Sequence, residues 1–264
     1  MKKYIEYIME QAKVLLSIDS PTGYTKNVTD YIMAEYSKMG YTPEMTQKGG
    51  VLIKLGGTGN GILLNSHVDT LGGMVAEIKG NGALRITPVG GLSANNVETE
   101  TCRIYTYDNK CFVGTAQLCD ASLHVNSKYN DTLRNFDNIE IVVDEMVFSK
   151  NETKDLGIMN GNYVCFDART IITSSGYIKS RFLDDKLSTA ILMGYAKYVK
   201  EENIKLQRNV YQHITVFEEV GHGGSSSVPE GMVDILSVDM GCVGVGLECK
   251  EHQVSICVKD SGGP

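Results

Sequence analysis

The sequence predicts an α/β protein in which a helix-covered mixed sheet is interrupted by an inserted all-β unit. Three observations carry this reading. Two helically periodic stretches and two apolar strand-like runs fill residues 1–71; short alternating β segments separated by glycines and polar turns fill 72–180; and helical periodicity followed by further apolar runs returns over 181–264. The outer segments together form one split α/β domain, and the middle segment forms the insertion.

Ile5, Ile8, Met9, Ala12, Leu15 and Leu16 recur at helical spacing until the turn formers of SIDSPTG stop the run. A second helix is expected from Thr25 to Met39, with Val28, Ile32 and Met33 on one face and Gly40 as its terminator. VLIKLGG and GILLNSHVDT follow as strands. GGTGNG at 56–61 precedes a strand and is not followed by GK[ST], so it reads as a tight hairpin turn rather than a phosphate loop. The continuous run Ile62-Leu63-Leu64 suggests a strand buried on both faces, with His67 and Asp69 at its carboxyl end, where open α/β sheets place their ligands.

MVAEIKG, ALRITPV, CRIYTYD, CFVGTAQL, NIEIVVD, NYVCFD and GYIKS are the expected strands of the insertion. A helix is expected over Leu183–Lys200, then a strand in NVYQHITVF, a further helical or loop stretch, and strands in DILSVDMG and QVSICVKD. KDSGGP ends in a loop, with no helix following to close over the sheet.

At 264 residues the chain can bury a full core, and 42% hydrophobic with 22% charged residues is ordinary for a soluble globular protein. The net charge of -7 argues against nonspecific binding to nucleic acid or an anionic membrane. Glu6 and Glu10 interrupt what a signal peptide would need as its apolar core, and no run reaches the roughly 20 apolar residues of a membrane span, so a cytoplasmic location is expected. The seven cysteines include no CxxC pair and mostly lie in apolar runs, which predicts buried, reduced thiols.

The chemistry-bearing residues recur where apolar runs end. They are His67 and Asp69 in NSHVDT, Asp184 and Asp185 in RFLDDK, Glu218 and Glu219 in TVFEEVGHGG, and Asp239 in ILSVDMG. Such groups are costly to bury singly, and their recurrence suggests convergence on a metal. In HVD the two side chains share a strand face, so Asp69 could accept a hydrogen bond from one ring nitrogen while the other binds metal. Each motif has a plainer reading: a structural histidine, a helix-capping Asp184–Asp185 pair, a turn aspartate at 239. Glu218–Glu219 is more telling, because adjacent carboxylates entering a glycine-rich turn repel each other without a cation. One can ligate while its neighbour activates water. One histidine, several carboxylates and an unligated glutamate are what a pair of hydrolytic metal ions needs.

NSHVDTLGGMV, the β insertion, SRFLDDKLSTAIL, TVFEEVGHGG and SVDMG, in this order and at these separations, resemble the glutamyl and tetrahedral aminopeptidases, a family of cocatalytic metallopeptidases of which some members carry the label endoglucanase. The resemblance covers essentially the whole chain. It implies a zinc-peptidase-like catalytic domain and a metal-dependent aminopeptidase acting on short peptides, with two divalent ions per subunit, zinc or cobalt. It further implies that His67 is a terminal ligand, Asp184 bridges both ions, Glu219 and Asp239 are further ligands, Glu218 is the general base and Asp69 orients His67. Asp185 is structural support. The insertion would be the family's dimerisation domain, building homo-oligomers up to a tetrahedral dodecamer. Metal ligation explains these carboxylates better than the acid and nucleophile of a glycosidase.

Two departures qualify the resemblance. The family has a second terminal histidine well downstream of Asp239, whereas His252 comes early and precedes a predicted strand; the sequence is expected to lack the family's C-terminal part and to leave one ion a ligand short. His222 stands in the turn after the glutamates, where many relatives carry an apolar residue, and it is expected to be an exposed loop histidine; His124 and His213 are expected to be structural or surface residues. Two other functions compete with the aminopeptidase: a deacylase or carboxypeptidase on the same scaffold, and a catalytically deficient assembly subunit.

Overall fold

The computed structural model describes residues 1–224 and 226–259. Its first elements are helices α1 (Lys2–Ser17) and α2 (Lys26–Lys38), followed by strands β1 (Glu44–Met45), β2 (Val51–Gly56) and β3 (Gly61–His67). Helix α1 buries Tyr4, Gln11, Ala12, Leu15 and Leu16, a stripe three and four residues apart. Ile5 lies at the margin of that stripe, seven residues before Ala12, and is 57% exposed, so the expected helix is right and its buried side is shifted toward Tyr4 and Gln11. In α2, Val28, Ile32 and Tyr36 are fully buried. The Tyr36 hydroxyl donates to Gln212 Oε1 at 2.7 Å and Gln212 Nε2 donates to the Leu192 carbonyl at 2.8 Å, which satisfies the polar atoms this face carries inward.

The middle of the chain holds β4 (Gly72–Ile78), β5 (Leu84–Val89), β6 (Thr101–Tyr105), β7 (Cys111–Leu118), β8 (Ile139–Val143), helix α3 (Lys150–Asp155) and β9 (Tyr163–Phe166). The strands close into a barrel in the order β4-β5-β8-β7-β6-β9 around Ile86, Ile104, Leu118, Ile141 and Phe166. Helix α3 departs from the expected all-β pattern; Ser149 and Glu152 have capping-box spacing and the Ser149 side chain accepts from the Glu152 amide. A small hairpin of β10 (Ile171–Ile172) and β11 (Ile178–Lys179) leads out of the barrel.

The chain then forms α4 (Leu183–Glu201), β12 (Asn209–Thr215) and β13 (Met232–Ser237). The outer strands make a mixed sheet in the order β1-β2-β12-β3-β13, with α4 packed on β3, α2 on β2 and α1 on α4. Gly194 permits the α1–α4 approach, since a Cβ there would sit 2.3 Å from Ile8 Cγ1.

Three expectations about the outer segments are corrected. GGTGNG does not join paired strands: β12 lies between β2 and β3, antiparallel to the first and parallel to the second. The turn steps across the start of β12, and Gly57 (φ +85°) is required because a Cβ would sit 1.8 Å from the Arg208 carbonyl oxygen. Strand β3 is buried fully on one face, through Leu63, while Ile62 and Leu64 are half-buried. Residues 253–259 of QVSICVKD form no strand; they are largely exposed, and Asp260–Pro264 lie outside the described residues. An apolar run makes a strand only where a ladder partner is available. At the sheet edge, Val233, Ile235 and Leu236 of β13 are 60%, 58% and 53% exposed.

All seven cysteines are free, but only Cys102 and Cys165 are buried. Cys111 opens β7 facing outward, and Cys242, Cys249 and Cys257 belong to the largely exposed 241–259 segment. No helix of the described residues is long and apolar enough to cross a membrane.

Candidate metal centre

Parallel pairing brings the distant motifs together. Thr215 of β12 is paired with His67 of β3, and Ser237 of β13 with Asn65, so the three strands end at the same sheet edge. His67 closes β3, Glu218–Val220 form a 3-10 turn just beyond β12, and Asp239 follows β13. Asp184 and Asp185 stand at the start of α4 with non-helical φ/ψ, so regular helix begins after them. Their side chains therefore turn to β3 rather than capping α4: the Asp185 carboxylate accepts the His67 amide at 3.1 Å.

His67 is the hub. Its Nε2 lies 3.0 Å from Asp184 Oδ1, 3.6 Å from Glu218 Oε2 and 4.0 Å from Asp239 Oδ2, while the ring is 1% exposed. Two groups could each hold an ion, with ligand atoms all within 4.8 Å of one another: His67, Asp184 and Glu219, and His67, Asp185 and Asp239. Asp185, expected as structural support, has its carboxylate among the donors, fully buried, with Oδ1 lacking a well-formed hydrogen bond.

Asp69 departs from the expected geometry in a useful way. The His67 Nδ1 lies 3.0 Å from the Asp69 backbone carbonyl, and the Asp69 carboxylate is the more distant partner at 3.4 Å. That carboxylate, fully buried, instead accepts the amides of Glu218 and Glu219, each at 3.3 Å, and the Thr22 hydroxyl at 2.7 Å. The main chain thus fixes the imidazole tautomer, with Nδ1–H donating and Nε2 free for a cation. The side chain holds the glutamate turn.

The electrostatics call for positive charge. Burial pulls the His67 imidazole down, but Asp184 and Asp69, with the charge of Asp185, outweigh it and push the group up to about 11. Burial raises Asp185 to about 8, reinforced by Asp239 and opposed by the Ser188 hydroxyl. Burial likewise lifts Glu219 to about 7, with His67 opposing and Asp184, Asp69 and Glu218 adding. Glu218 is raised for the same first reason. Carboxylates crowded this closely stay ionised only around a cation. An imidazole whose Nε2 proton a cation would displace, several carboxylate oxygens and an unsatisfied buried Asp185 oxygen are a donor set that fits hard or borderline divalent ions.

The other histidines stand apart from both groups. His222 is exposed and stacks on Phe217 with ring centroids 5.3 Å apart. His213 is buried in β12, while His124 and His252 are exposed. The site residue that the sequence reading passed over is Thr22, hidden in a segment read solely as a helix stop; its one visible signal was a threonine inside a turn.

The model of the M42 glutamyl aminopeptidase family matches residues 49–264. YhfE of Bacillus subtilis (strain 168) is 43% identical over 258 residues, which span 97% of this chain and 75% of YhfE. Glutamyl aminopeptidase of Lactococcus lactis subsp. cremoris (strain MG1363) is 24% identical over 222 residues, 83% of this chain and 61% of that enzyme. The chain therefore spans about three quarters of the one relative and three fifths of the other. Among solved structures, the Pyrococcus horikoshii TET1 peptidase, which can assemble into a tetrahedron or a large octahedral shell, matches with a TM-score of 0.76 at 21% identity, covering 88% of this chain and 68% of that one. This last likeness bears on the fold.

Proposed function

Because the chain belongs to the M42 glutamyl aminopeptidase family, we propose that it is a metal-dependent aminopeptidase releasing N-terminal residues from short peptides. The observation that carries this reading is the convergence of His67, Asp184, Glu218, Glu219 and Asp239 at the carboxyl edge of β3, β12 and β13. His67, Asp184, Glu219 and Asp239 would hold two divalent ions, zinc or cobalt. When bound, such a pair polarises a peptide carbonyl and acidifies water.

The chain's own residues supply the rest. Glu218, half exposed at the mouth of the site, takes a proton from the attacking water at its carboxylate and returns it to the leaving amine. His67, held by the Asp69 carbonyl, presents Nε2 to the centre. Residues 72–180 form a separate β domain in this account, set between the catalytic segments 1–71 and 181–264. That domain mediates self-association, as dimers that build a tetrahedral dodecamer.

Zinc- or cobalt-loaded protein should release the first residue of unblocked tripeptides and leave N-acetylated ones intact; a deacylase would accept the blocked form. Glu218→Gln should lower kcat by about 10²–10⁴-fold, the usual share of general acid–base catalysis. A loss below about tenfold removes Glu218 from the role of base.

A further inference from the structure

Segment Ile18–Thr22, between α1 and α2, is zipped to the residues that follow β3. The Thr70 amide donates to the Ser20 carbonyl at 2.9 Å, the Thr22 amide to the Thr70 carbonyl at 3.2 Å, and the Ser20 hydroxyl to the Val68 carbonyl at 2.8 Å. Pro21 and Thr70 form a parallel bridge. Two further elements grip the same segment. The ammonium of Lys186, 1% exposed in α4, donates to the Ile18 carbonyl at 2.6 Å, and Arg103 of β6 pairs with Asp19 through Nε at 2.6 Å and Nη2 at 2.8 Å. The segment is a fixed platform touching the barrel, the start of α4 and Asp69.

From that platform one side chain reaches the site. The Thr22 hydroxyl, itself buried, donates to Asp69 Oδ2 at 2.7 Å, the shortest hydrogen bond the Asp69 carboxylate receives. The two amides it holds in turn, of Glu218 and Glu219, are longer at 3.3 Å each. The strongest constraint on the carboxylate is therefore Thr22, and the glutamate turn is placed at second hand. Fixing a ligand's neighbour in this way sets the geometry of the ligand itself.

We propose that Thr22 is a positioning residue for Glu218 and Glu219, acting through Asp69. Without its hydroxyl, Asp69 Oδ2 loses its best partner in a fully buried position and the carboxylate turns toward other donors, carrying the two amides with it. Backbone and Cβ of the platform stay where they are. The effect falls on the orientation of the base and of a metal-ligand carboxylate, hence on turnover more than on peptide affinity.

The inference rests on the aminopeptidase reading, and the test separates the two. Full-length wild type, Thr22→Val, Thr22→Ala and Thr22→Ser are loaded with cobalt(II), and both kinetics on unblocked tri-alanine and the visible cobalt spectrum without peptide are recorded. Thr22→Val should lower kcat about 10-fold, the lower end of the loss seen when a ligand's direct partner is removed, because Thr22 acts one step further out, with KM changed less than about threefold. Thr22→Ser should restore kcat to within about threefold of wild type, which a merely structural role for the threonine methyl would not allow. Turnover of Thr22→Val within twofold of wild type overturns the proposal, as does a Thr22→Ser variant as impaired as Thr22→Val. Should Thr22→Val fail to fold, the comparison of Thr22→Ala with Thr22→Ser decides by the same thresholds. If wild type hydrolyses no peptide, the aminopeptidase reading fails alone, and the cobalt spectrum decides: bands altered in Thr22→Val and restored in Thr22→Ser support the proposal. Bands identical in all variants, or no cobalt bound by wild type, overturn it.

Discussion

Replacing Arg103 with methionine should destabilise the protein by about 2 kcal/mol. The guanidinium makes a bidentate pair with Asp19, at 2.6 and 2.8 Å, and also bonds Asp167. Methionine keeps the apolar stem and deletes the fork. Asp19, 12% exposed, would keep one neutral donor, the Tyr105 hydroxyl at 2.7 Å. Removing one partner of a fully buried pair costs about 3–5 kcal/mol, whereas a surface pair is worth about 0–1. This pair lies between those limits. Asp167 is 33% exposed and Arg103 is 30% exposed, and both line an open cavity of about 800 Å³ that contains none of the metal-centre residues, so water can rehydrate part of what is lost. Urea unfolding of wild type, Asp19→Asn, Arg103→Met and the double variant gives the coupling directly, provided the slopes agree. A coupling of about 1–2 kcal/mol is expected. A single-variant loss below about 0.5 kcal/mol, or strictly additive effects, would refute the idea that Arg103 clamps the barrel to the 18–22 platform.

Two further outcomes follow from the fold. His213 is 2% exposed, its Nδ1 lacks a partner, and burial holds it down at about 4 against an ordinary 6.5. The unfolded chain thus binds a proton more readily, so stability is fully present above pH 6.5 and falls as the pH drops toward 4, by up to about 3 kcal/mol. Denaturation midpoints between pH 7 and 4 should show a slope that is reduced in His213→Gln; an unchanged slope assigns the acid sensitivity elsewhere. Gly194→Ala should destabilise by up to about 2 kcal/mol in thermal unfolding, because overpacking typically costs about 1–3 and is offset by a helix-propensity gain of about 1. Trimming its neighbour with Ile8→Ala should remove the clash, and a Gly194→Ala variant more stable than wild type would show that α1 and α4 have room to spare.

What the sequence disclosed was local. His67, Asp184, Glu219 and Asp239 stand out in the sequence because each lies where an apolar run meets a turn or a helix start, and strand ends are where ligands gather in open sheets. The insertion was legible for the same reason, as a change of period from 3.6 to 2. What stayed hidden depends on partners far along the chain. Nothing local in GGTGNG reveals that β12, more than 140 residues later, enters between the strands it joins. The two-residue spacing of HVD suggested a carboxylate on the imidazole, yet amides 149 and 150 residues away compete for that carboxylate. The alternation in QVSICVKD describes a capacity to pair, which no partner fulfils among the described residues. Ile5 shows the limit within one helix: periodicity gives a stripe, and tertiary contacts choose its centre.

The most direct test of the account is the metal content of the folded chain measured alongside its turnover. Protein dialysed against zinc or cobalt(II) and freed of excess ion should retain about two ions per chain by elemental analysis and release N-terminal residues from unblocked peptides, with Asp184→Asn losing both properties together. A well-folded chain that keeps no more than one weakly held ion and releases nothing would contradict the account and identify the protein as a subunit retaining the family's fold without its chemistry.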